Sequence, residues 1–315
     1  MNHRPEILMM SPLFEPTSRV LEERYVCHHL WEQTDPAHAL SQLADRIEAM
    51  TSLAGAARVD RATIDALPRL KLIANFGVGV DGIDLQACRD HGVTVCNTPD
   101  VLTEDVADFA LGLLLATIRQ IPQGDRYVRQ GQWLTANMAL TQTLQRRRVG
   151  IVGLGRIGQA IARRCAAFNT ELAYFGPRHK PDMPYQYFDD LVAMAQWADV
   201  LIAACPGGPG TRHLISRPVL CALGPQGVFI NIARGSVVDQ EALVELLGSG
   251  ELGSAGLDVF DDEPRVPQAL IALPHIVLQP HQASASVATR TAMGQLVIDN
   301  LAAHFTGQAY LTPVG

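Results

Sequence analysis

The sequence predicts an α/β protein with two domains, each built on a parallel β-sheet that is covered by helices on both faces. Its 315 residues correspond to about two domains of average length. Hydrophobic residues make up 48% of the chain and charged residues 18%, which is typical of a globular protein with a large core. Short apolar runs alternate with stretches of helical periodicity, and this alternation indicates parallel strands connected by helices.

The first hundred residues supply the elements of one sheet. Strands are predicted at 7–10, near 25–30, at 72–76 and at 93–96. Helices are predicted at 16–24, 37–50 and 85–91, and a further helix begins at Asp60, whose carboxylate is placed as an N-cap. The helix at 37–50 is predicted because apolar residues recur there at helical spacing, namely Leu40, Leu43, Ile47 and Met50.

The remaining residues supply a longer series of elements. A helix is predicted at 103–120, and a polar stretch follows it at 124–148. Strands are predicted at 150–152, 171–175, 200–204, 228–232, 256–259 and 276–278, with helices between them. An amphipathic helix at 286–305 closes the chain.

A glycine-rich turn, GLGRIG at 153–158, joins a buried apolar strand to the helix that follows it. Gly153 permits a tight turn, Gly155 lets backbone N–H groups approach a pyrophosphate, and Gly158 lets the helix pack closely on the strand. The N-terminus of that helix carries a partial positive charge that attracts phosphates. This order of elements predicts a Rossmann dinucleotide-binding domain that begins near residue 100, and it leaves the preceding residues for a separate substrate domain.

Composition and charge exclude several classes of function. The net charge of −7 argues against nucleic acid as a partner, because a protein neutralises phosphates with a basic surface. The six cysteines form neither a CxxC pair nor a metal-ligand spacing with histidine, so we predict reduced thiols and no metal site. The first residues lack the apolar core of a signal peptide, and the apolar stretch at 106–118 is too short to cross a bilayer. We therefore expect a cytoplasmic protein with no membrane partner.

Three segments that each end a predicted strand carry a charged or titratable side chain. Open α/β sheets bind ligands at the carboxyl ends of their strands, so these side chains can converge. Arg234 could hold a carboxylate through two parallel hydrogen bonds, although an arginine in an ordinary surface turn would have the same sequence pattern. Asp258 lies within a predicted strand, where a carboxylate needs a partner such as a cofactor amide or ribose. His281 can exchange a proton with a carbonyl or alcohol oxygen near neutral pH.

Two further features keep alternatives open. Three acids, Asp261, Asp262 and Glu263, follow Asp258, and their spacing does not choose one of them as a site residue. A second glycine-rich turn, FGVGVD at 76–81, could form a nest of N–H groups that holds a substrate carboxylate, or it could be an ordinary turn.

Seven segments together resemble the D-isomer-specific 2-hydroxyacid dehydrogenases, and among these most of all the glyoxylate/hydroxypyruvate reductases. They are NFGVGVDGIDL (75–85), VLTEDVADFALGLLLA (101–116), VGIVGLGRIG (149–158), ACPGGPGTRHLI (204–215), INIARGSVVDQEAL (230–243), AGLDVFDDEP (255–264) and LQPHQASAS (278–286). The resemblance implies a flavodoxin-like substrate domain of residues 1–99 and 286–315, and a dinucleotide-binding domain of residues 100–285. It also implies a dimerisation arm at 103–148, which contains Trp133, and hence a homodimer.

The resemblance also assigns roles to individual residues. His281 would be the catalytic general acid/base, Glu263 its acidic partner, and Arg234 the residue that binds the 2-oxo acid. Glu263 would orient the imidazole and favour its charged form. The residues implied to contact the substrate, the first two of them through backbone N–H groups to its carboxylate, are Val78, Gly79, Leu102, Arg234 and His281. The residues implied to contact the cofactor are Gly153, Leu154, Gly155, Arg156, Ile157, Gly158, Gly176, Pro177, Arg178, Cys205, Pro206, Thr211, Ile232, Ala233, Asp258 and Ala283.

The end of the strand at 171–175 bears on the choice of nicotinamide cofactor. NAD-specific domains carry Asp or Glu there, bound to the ribose hydroxyls. In this chain Gly176 and Pro177 follow the strand without an acid, and Arg178, His179 and Lys180 come next. This cluster would attract a 2′-phosphate, although a solvated basic turn would have the same composition. We predict that NADP(H) is preferred, with Arg178 as the main phosphate ligand and NAD(H) as the alternative cofactor.

The implied function is NADPH-dependent reduction of a small 2-oxo acid, glyoxylate or hydroxypyruvate, to the D-2-hydroxy acid. A hydride would pass to the carbonyl carbon while His281 donates a proton to the oxygen. Two alternatives are a reductase of a sugar-derived acid such as 2-ketogluconate and a non-catalytic NAD(H)-sensing scaffold related to corepressors of this fold. The intact set of Arg234, Glu263 and His281 argues against a purely binding role.

Overall fold

The computed structural model describes residues 4–56 and 58–314, and the chain divides into two compact units. The first unit consists of Met1–Leu102 and Ala285–Gly315, and the second unit consists of Thr103–Ser284. Each unit contains one β-sheet whose strands pair in parallel, with helices in the connections. The predicted fold class, two parallel-sheet α/β domains, is confirmed.

The sheet of the first unit has the strand order of flavodoxin-like domains. Its strands are β1 (Glu6–Met9), β2 (Val26–His29), β3 (Ala49–Leu53), β4 (Leu72–Phe76) and β5 (Thr94–Cys96). They lie in the order β2-β1-β3-β4-β5. The connections contain α1 (Glu15–Arg24), α2 (Pro36–Leu43), α3 (Arg61–Asp65) and α4 (Leu85–His91). The carboxylate of Asp60 accepts the backbone N–H of Thr63 (2.9 Å), so its predicted role as an N-cap is confirmed.

The predicted helix at 37–50 is wrong in its second half. α2 ends at Leu43, whereas β3 begins at Ala49 and pairs with both β1 and β4. Ile47 and Met50 fit a helical spacing, but they are fully buried in the connecting loop and in the strand. Over so few residues, periodicity does not distinguish a buried strand from a buried helical segment. Residues 49–53 form a strand because they pair with two neighbouring strands.

The sheet of the second unit contains the strands that carry the predicted site residues. They are β6 (Arg148–Val152), β7 (Glu171–Phe175), β8 (Gln186–Phe188), β9 (Val200–Ala203), β10 (Val228–Asn231), β11 (Ser254–Leu257) and β12 (Val277–Leu278). Their order is β12-β11-β10-β9-β6-β7-β8, so the direction of winding reverses between β9 and β6. Such a reversal places a ligand crevice at the carboxyl ends of these strands. The sequence does not predict β8, because a three-residue edge strand is too short to show a pattern.

The helices of the second unit surround this sheet. They are α5 (Thr103–Ile118), α6 (Ile121–Arg129), α7 (Arg156–Ala166), α8 (Leu191–Trp197), α9 (Arg217–Leu223), α10 (Gln240–Ser249) and α11 (Gln268–Ile271). The predicted helix at 103–120 ends at Ile118, because Gln120 adopts a left-handed conformation (φ +50°) before α6 begins.

The last helix of the chain, α12 (Val287–Thr306), belongs to the first unit and packs there on β4 and α1.

Within residues 4–56 and 58–314, no helix has both the length and the apolar character that are needed to cross a membrane. In the same ranges, no group of three or more His, Cys, Asp or Glu side chains is arranged to hold a metal ion.

Candidate active site

The glycine turn after β6 shows why glycine stands at each of three positions. Gly153 has a positive φ (+96°), and a Cβ atom there would lie 2.7 Å from Cα of Cys205. A Cβ atom at Gly158 would lie 2.1 Å from the carbonyl oxygen of Gly153, so this glycine lets α7 pack on the turn. A Cβ atom at Gly155 would meet no described atom within 4 Å. The turn is open beside Gly155, where α7 begins, and this space fits the pyrophosphate of a dinucleotide.

Other residues predicted to contact a cofactor lie at the carboxyl ends of the neighbouring strands. Cys205 and Pro206 follow β9, and Ile232 and Ala233 follow β10. The hydroxyl of Thr211 donates a hydrogen bond to the carbonyl oxygen of Pro206 (2.7 Å), which closes the loop after β9. Cys205 is buried, and burial raises the pKa of its thiol to about 11, which disfavours the reactive thiolate.

Arg234 is held by a turn that depends on Asn231. The buried side chain of Asn231 ends β10, accepts the backbone N–H of Ala233 (3.0 Å) and donates to the carbonyl oxygen of Arg234 (3.0 Å). Nη1 of Arg234 donates to the carbonyl oxygen of Ala233 (2.7 Å). Asn231 is not among the predicted site residues. The feature of the sequence that could have indicated it is a polar amide at the end of the otherwise apolar strand VFIN.

The turn of Arg234 packs directly on the loop that carries Glu263. A Cβ atom at Gly235 would lie 1.9 Å from the carbonyl carbon of Phe260. Any side chain at position 235 would therefore collide with backbone, and the two loops touch because glycine stands there.

His281 and Glu263 form a hydrogen-bonded pair. Nδ1 of His281 lies 2.7 Å from Oε2 of Glu263, and Oε1 of Glu263 accepts the backbone N–H of Phe260 (3.0 Å). Burial acts to raise the pKa of Glu263, but the hydrogen bond and the charge of His281 outweigh it and hold this pKa below its usual range. The His281 side chain is 33% exposed. Because Nδ1 is engaged, Nε2 is the nitrogen that remains for a substrate oxygen.

The other two acids of the 261–263 segment have different partners. Asp262 is exposed and forms an ion pair with Arg265 (2.8 Å). The backbone N–H of Asp261 donates to the side chain of Gln240 (3.1 Å). Of the three acids that the spacing left open, Glu263 is therefore the one whose carboxylate contacts the imidazole.

Asp258 fixes the backbone around His281. Its fully buried carboxylate accepts the backbone N–H groups of Gln282 (2.6 Å) and Ala283 (2.9 Å), and its carbonyl oxygen accepts the N–H of His281 (2.9 Å). These bonds hold His281 in the left-handed region (φ +54°), which residues with a side chain rarely adopt. Burial raises the pKa of Asp258, although both N–H donors oppose this shift. Asp258 follows β11 rather than lying in it, and two backbone N–H groups are partners of its carboxylate.

In the first unit, the turn after β4 presents backbone N–H groups. Nδ2 of Asn75 donates to the carbonyl oxygens of Gly77 (3.1 Å) and Gly79 (3.0 Å), and Nδ2 of Asn97 donates to that of Val78 (2.9 Å). The N–H groups of residues 77–79 donate to no other described residue. A turn whose carbonyl groups are bound and whose N–H groups are unused can bind an anion.

Asn75 has the same function in the first unit that Asn231 has in the second. Each is a buried amide near the end of a strand that shapes the turn after it, and sequence analysis misses both. Leu102, which is predicted to contact the substrate, is buried and ends the first segment of the first unit.

The loop after β7 carries the basic residues that the sequence predicts near a 2′-phosphate. Arg178 and His179 are exposed, and Arg178 forms no ion pair with any residue in the described ranges. Nζ of Lys180 instead donates to the carbonyl oxygen of Leu154 (2.7 Å), and its backbone N–H donates to the hydroxyl of Tyr174 (2.7 Å). Lys180 therefore ties this loop to the glycine turn, while the guanidinium of Arg178 stays available.

Comparisons with known proteins agree with this geometry. The family model of the D-isomer specific 2-hydroxyacid dehydrogenase, NAD binding domain, matches residues 111–283. The chain belongs to the D-isomer-specific 2-hydroxyacid dehydrogenase family, whose members are oxidoreductases that use a nicotinamide cofactor.

Similar proteins reduce several kinds of 2-oxo acid, according to their names. The chain is 46% identical to a hydroxyphenylpyruvate reductase of Plectranthus scutellarioides over 98% of both chains. It is 43% identical to a 2-ketogluconate reductase of Gluconobacter oxydans over 100% of both. A crystal structure of an NADPH-dependent glyoxylate/hydroxypyruvate reductase from Sinorhizobium meliloti, in complex with NADP and malonate, superposes with a TM-score of 0.91 at 42% identity and covers 99% of this chain and 97% of that one. The predicted resemblance to this family and to its glyoxylate/hydroxypyruvate reductases is confirmed.

Proposed function

We propose that this protein is an NADPH-dependent reductase that converts a small 2-oxo acid, glyoxylate or hydroxypyruvate, into the D-2-hydroxy acid. The observation that carries the proposal is the His281–Glu263 pair (2.7 Å) on a backbone that Asp258 holds in place. Its position after β12 puts it at the same edge of the sheet as the glycine turn and Arg234. Carbonyl reduction requires a group that binds the substrate, a proton donor and a site for the hydride donor. One edge of this sheet carries an arginine, an acid-paired imidazole and a dinucleotide turn, which match these three requirements.

The proposed mechanism divides the work among these side chains. Bound NADPH would supply the hydride that adds to the carbonyl carbon. His281 donates a proton from Nε2 to the carbonyl oxygen, so that the hydride and the proton together complete the alcohol. Glu263 orients the ring through the bond to Nδ1. Arg234 binds the substrate carboxylate and stabilises the negative charge that develops on the oxygen.

We also propose roles for the two units. Residues 1–99 and 286–315 would form the substrate domain, in which the N–H groups of Val78 and Gly79 bind the carboxylate and Leu102 lines the pocket. Residues 100–285 would form the dinucleotide-binding domain. The parallel strand orders and the unused N–H groups of the 77–79 turn support this division.

A direct assay tests the proposed reaction. The nicotinamide absorbance is followed with NADPH and each of glyoxylate, hydroxypyruvate and 2-ketogluconate, and the product is analysed for its D configuration. We expect the first two acids to be reduced most efficiently. A preference for 2-ketogluconate would favour the sugar-acid reductase, a candidate that the similarity to the Gluconobacter oxydans enzyme supports. Oxidation of NADPH by none of these acids would contradict the proposal and favour a cofactor-sensing protein.

Arg178 is expected to determine the preference for NADPH. Replacing it with alanine removes the available guanidinium after β7, so we expect NADPH use to weaken by about 1–3 kcal/mol, the range for a hydrogen bond to a charged group. The measurement is kcat/KM for NADPH and for NADH, and NADH use should stay unchanged. Arg217→Ala, which removes an exposed arginine of α9, is the control. Equal or better use of NADH by the unmodified protein would contradict the proposed preference.

We further propose that the protein is a homodimer formed through residues 103–148. This arm exposes Val128 (58%), Trp133 (65%), Leu134 (92%) and Leu140 (101%), which is unusual for apolar side chains of a monomer. Leu134→Glu should shift the mass measured by light scattering from dimer to monomer. Ile271→Glu, at an exposed position on α11 outside the arm, should leave the mass unchanged. A monomeric unmodified protein at micromolar concentration would overturn this assignment.

A further inference from the structure

Arg290 is an arginine in an electrostatically unfavourable position. It lies in the first turn of α12, where the helix dipole disfavours a cation, and its side chain is partly buried. Its guanidinium carbon lies 5.6 Å from the centre of the Phe76 ring. Among the described residues, Arg290 has no carboxylate partner and no side-chain hydrogen bond. Burial accordingly lowers the pKa of Arg290, with no neighbouring acid to oppose the shift.

Other arginines of the first unit do have acidic partners. Arg46 pairs with Glu6 (3.2 Å), and Arg61 pairs with Asp90 (2.7 Å). Both of these arginines are more exposed, where a cation has little need of a partner. A cation that is desolvated without a partner costs stability, and such groups are concentrated at sites that bind a ligand.

The position of Phe76 links this arginine to the anion-binding turn. Phe76 is the last residue of β4, and the unused N–H groups of residues 77–79 follow it directly. The cation–π contact therefore holds the guanidinium at the carboxyl edge of the same sheet. One unit thus carries both a set of N–H donors and an unpaired guanidinium at one edge.

We propose that Arg290 is a specificity-determining residue that binds a second oxygen-bearing group of the substrate, a hydroxyl or carboxylate at C3 or beyond. This inference rests on the proposed function. A carboxylate offers about four lone-pair positions, and the N–H groups of the 77–79 turn are the donors of the first unit that we propose for it at C1. The guanidinium of Arg290 is then left for an oxygen farther along the substrate. Among 2-oxo acids of three or more carbons, those with such a group are therefore preferred over those without one, such as pyruvate.

The test compares two acids of equal chain length that differ by one hydroxyl, pyruvate and hydroxypyruvate, with oxaloacetate as an acid that carries a second carboxylate. In Arg290→Met, we expect the ratio of kcat/KM for hydroxypyruvate to that for pyruvate to fall by about 10- to 100-fold, the range for loss of a hydrogen bond to a charged group. The ratio for oxaloacetate over pyruvate should fall as well. Arg290→Lys keeps the charge without the planar fork, so it should recover part of each ratio.

Two further variants separate recognition from folding. Phe76→Leu removes the ring that positions the guanidinium, and it should lower the same ratios less strongly. Arg89→Met removes an exposed arginine of α4 and should change neither ratio. If Arg290→Met lowers kcat/KM equally for all three acids, or lowers only the melting temperature, the proposal is overturned. If the unmodified protein reduces no 2-oxo acid at all, the proposed function is contradicted instead. The assay of the unmodified protein alone gives this result, without any variant.

Discussion

Replacing His281 with asparagine is expected to lower kcat by about 10²–10⁴-fold, the contribution typical of a general acid. Asparagine cannot deliver a proton from the position of Nε2, whereas it is small enough to fit the loop and tolerates the left-handed backbone (φ +54°) found there. The measurement is single-turnover reduction of the best substrate under saturating NADPH, so that cofactor release does not mask the chemical step. Cofactor affinity should change little.

Two variants accompany this experiment. Glu263→Gln keeps a hydrogen-bonding side chain beside Nδ1 but removes the negative charge, so its loss of rate should be smaller than that of His281→Asn. His275→Asn changes a histidine that precedes β12, at the opposite end of that strand from His281, and should leave kcat unchanged. An unaltered single-turnover rate in His281→Asn would rule out the proposed proton donor.

Replacing Arg234 with methionine is expected to lower kcat/KM by about 10²–10³-fold, the scale of losing two hydrogen bonds to a charged group at about 1.5–2 kcal/mol each. Methionine has a similar length but cannot make two parallel hydrogen bonds to a carboxylate. Most of the loss should appear in KM for the 2-oxo acid, because the carboxylate is bound in the ground state as well. Arg234→Lys should recover only part of the efficiency, since lysine lacks the fork.

A variant of the neighbouring residue Asn231 distinguishes a loss of substrate binding in Arg234→Met from a loss of stability. Asn231 shapes the same turn through bonds to Ala233 and Arg234, so Asn231→Ala should weaken catalysis and also lower the melting temperature. Arg234→Met should affect catalysis with much less change in stability. Unchanged KM and kcat in Arg234→Met would show that the carboxylate binds elsewhere.

Features that depend on local spacing could be predicted from the sequence. The glycines at 153, 155 and 158 stand within a few positions of one another between a strand and a helix, and Asp60 needs only the N–H of Thr63. The boundaries of most strands follow from apolar runs for the same reason. The helix predicted at 37–50 failed where two patterns overlap, since a buried loop and strand carry apolar residues at helical spacing.

Features that depend on residues far apart in sequence could not be predicted from local patterns. The contact between Glu263 and His281 spans 18 positions, so residue spacing left three acids open, and only the family resemblance indicated Glu263 rather than Asp262, which pairs with Arg265. Asn75 is an ordinary polar residue in the sequence. Only the structure shows that its side chain is buried near the end of β4. Arg290 is unremarkable in sequence as well, because only the fold shows that it has no acidic partner among the residues that the structure describes.

The close approach of Gly235 to Phe260 has a consequence for protein engineering. Because a Cβ atom would lie 1.9 Å from that backbone, any side chain at position 235 would push the arginine turn and the acid-bearing loop apart and displace both groups. A directed-evolution library that seeks activity on bulkier keto acids should therefore gain little from randomising position 235. Its productive mutations should accumulate among residues of the first unit, where side chains can be exchanged without displacing the reactive groups.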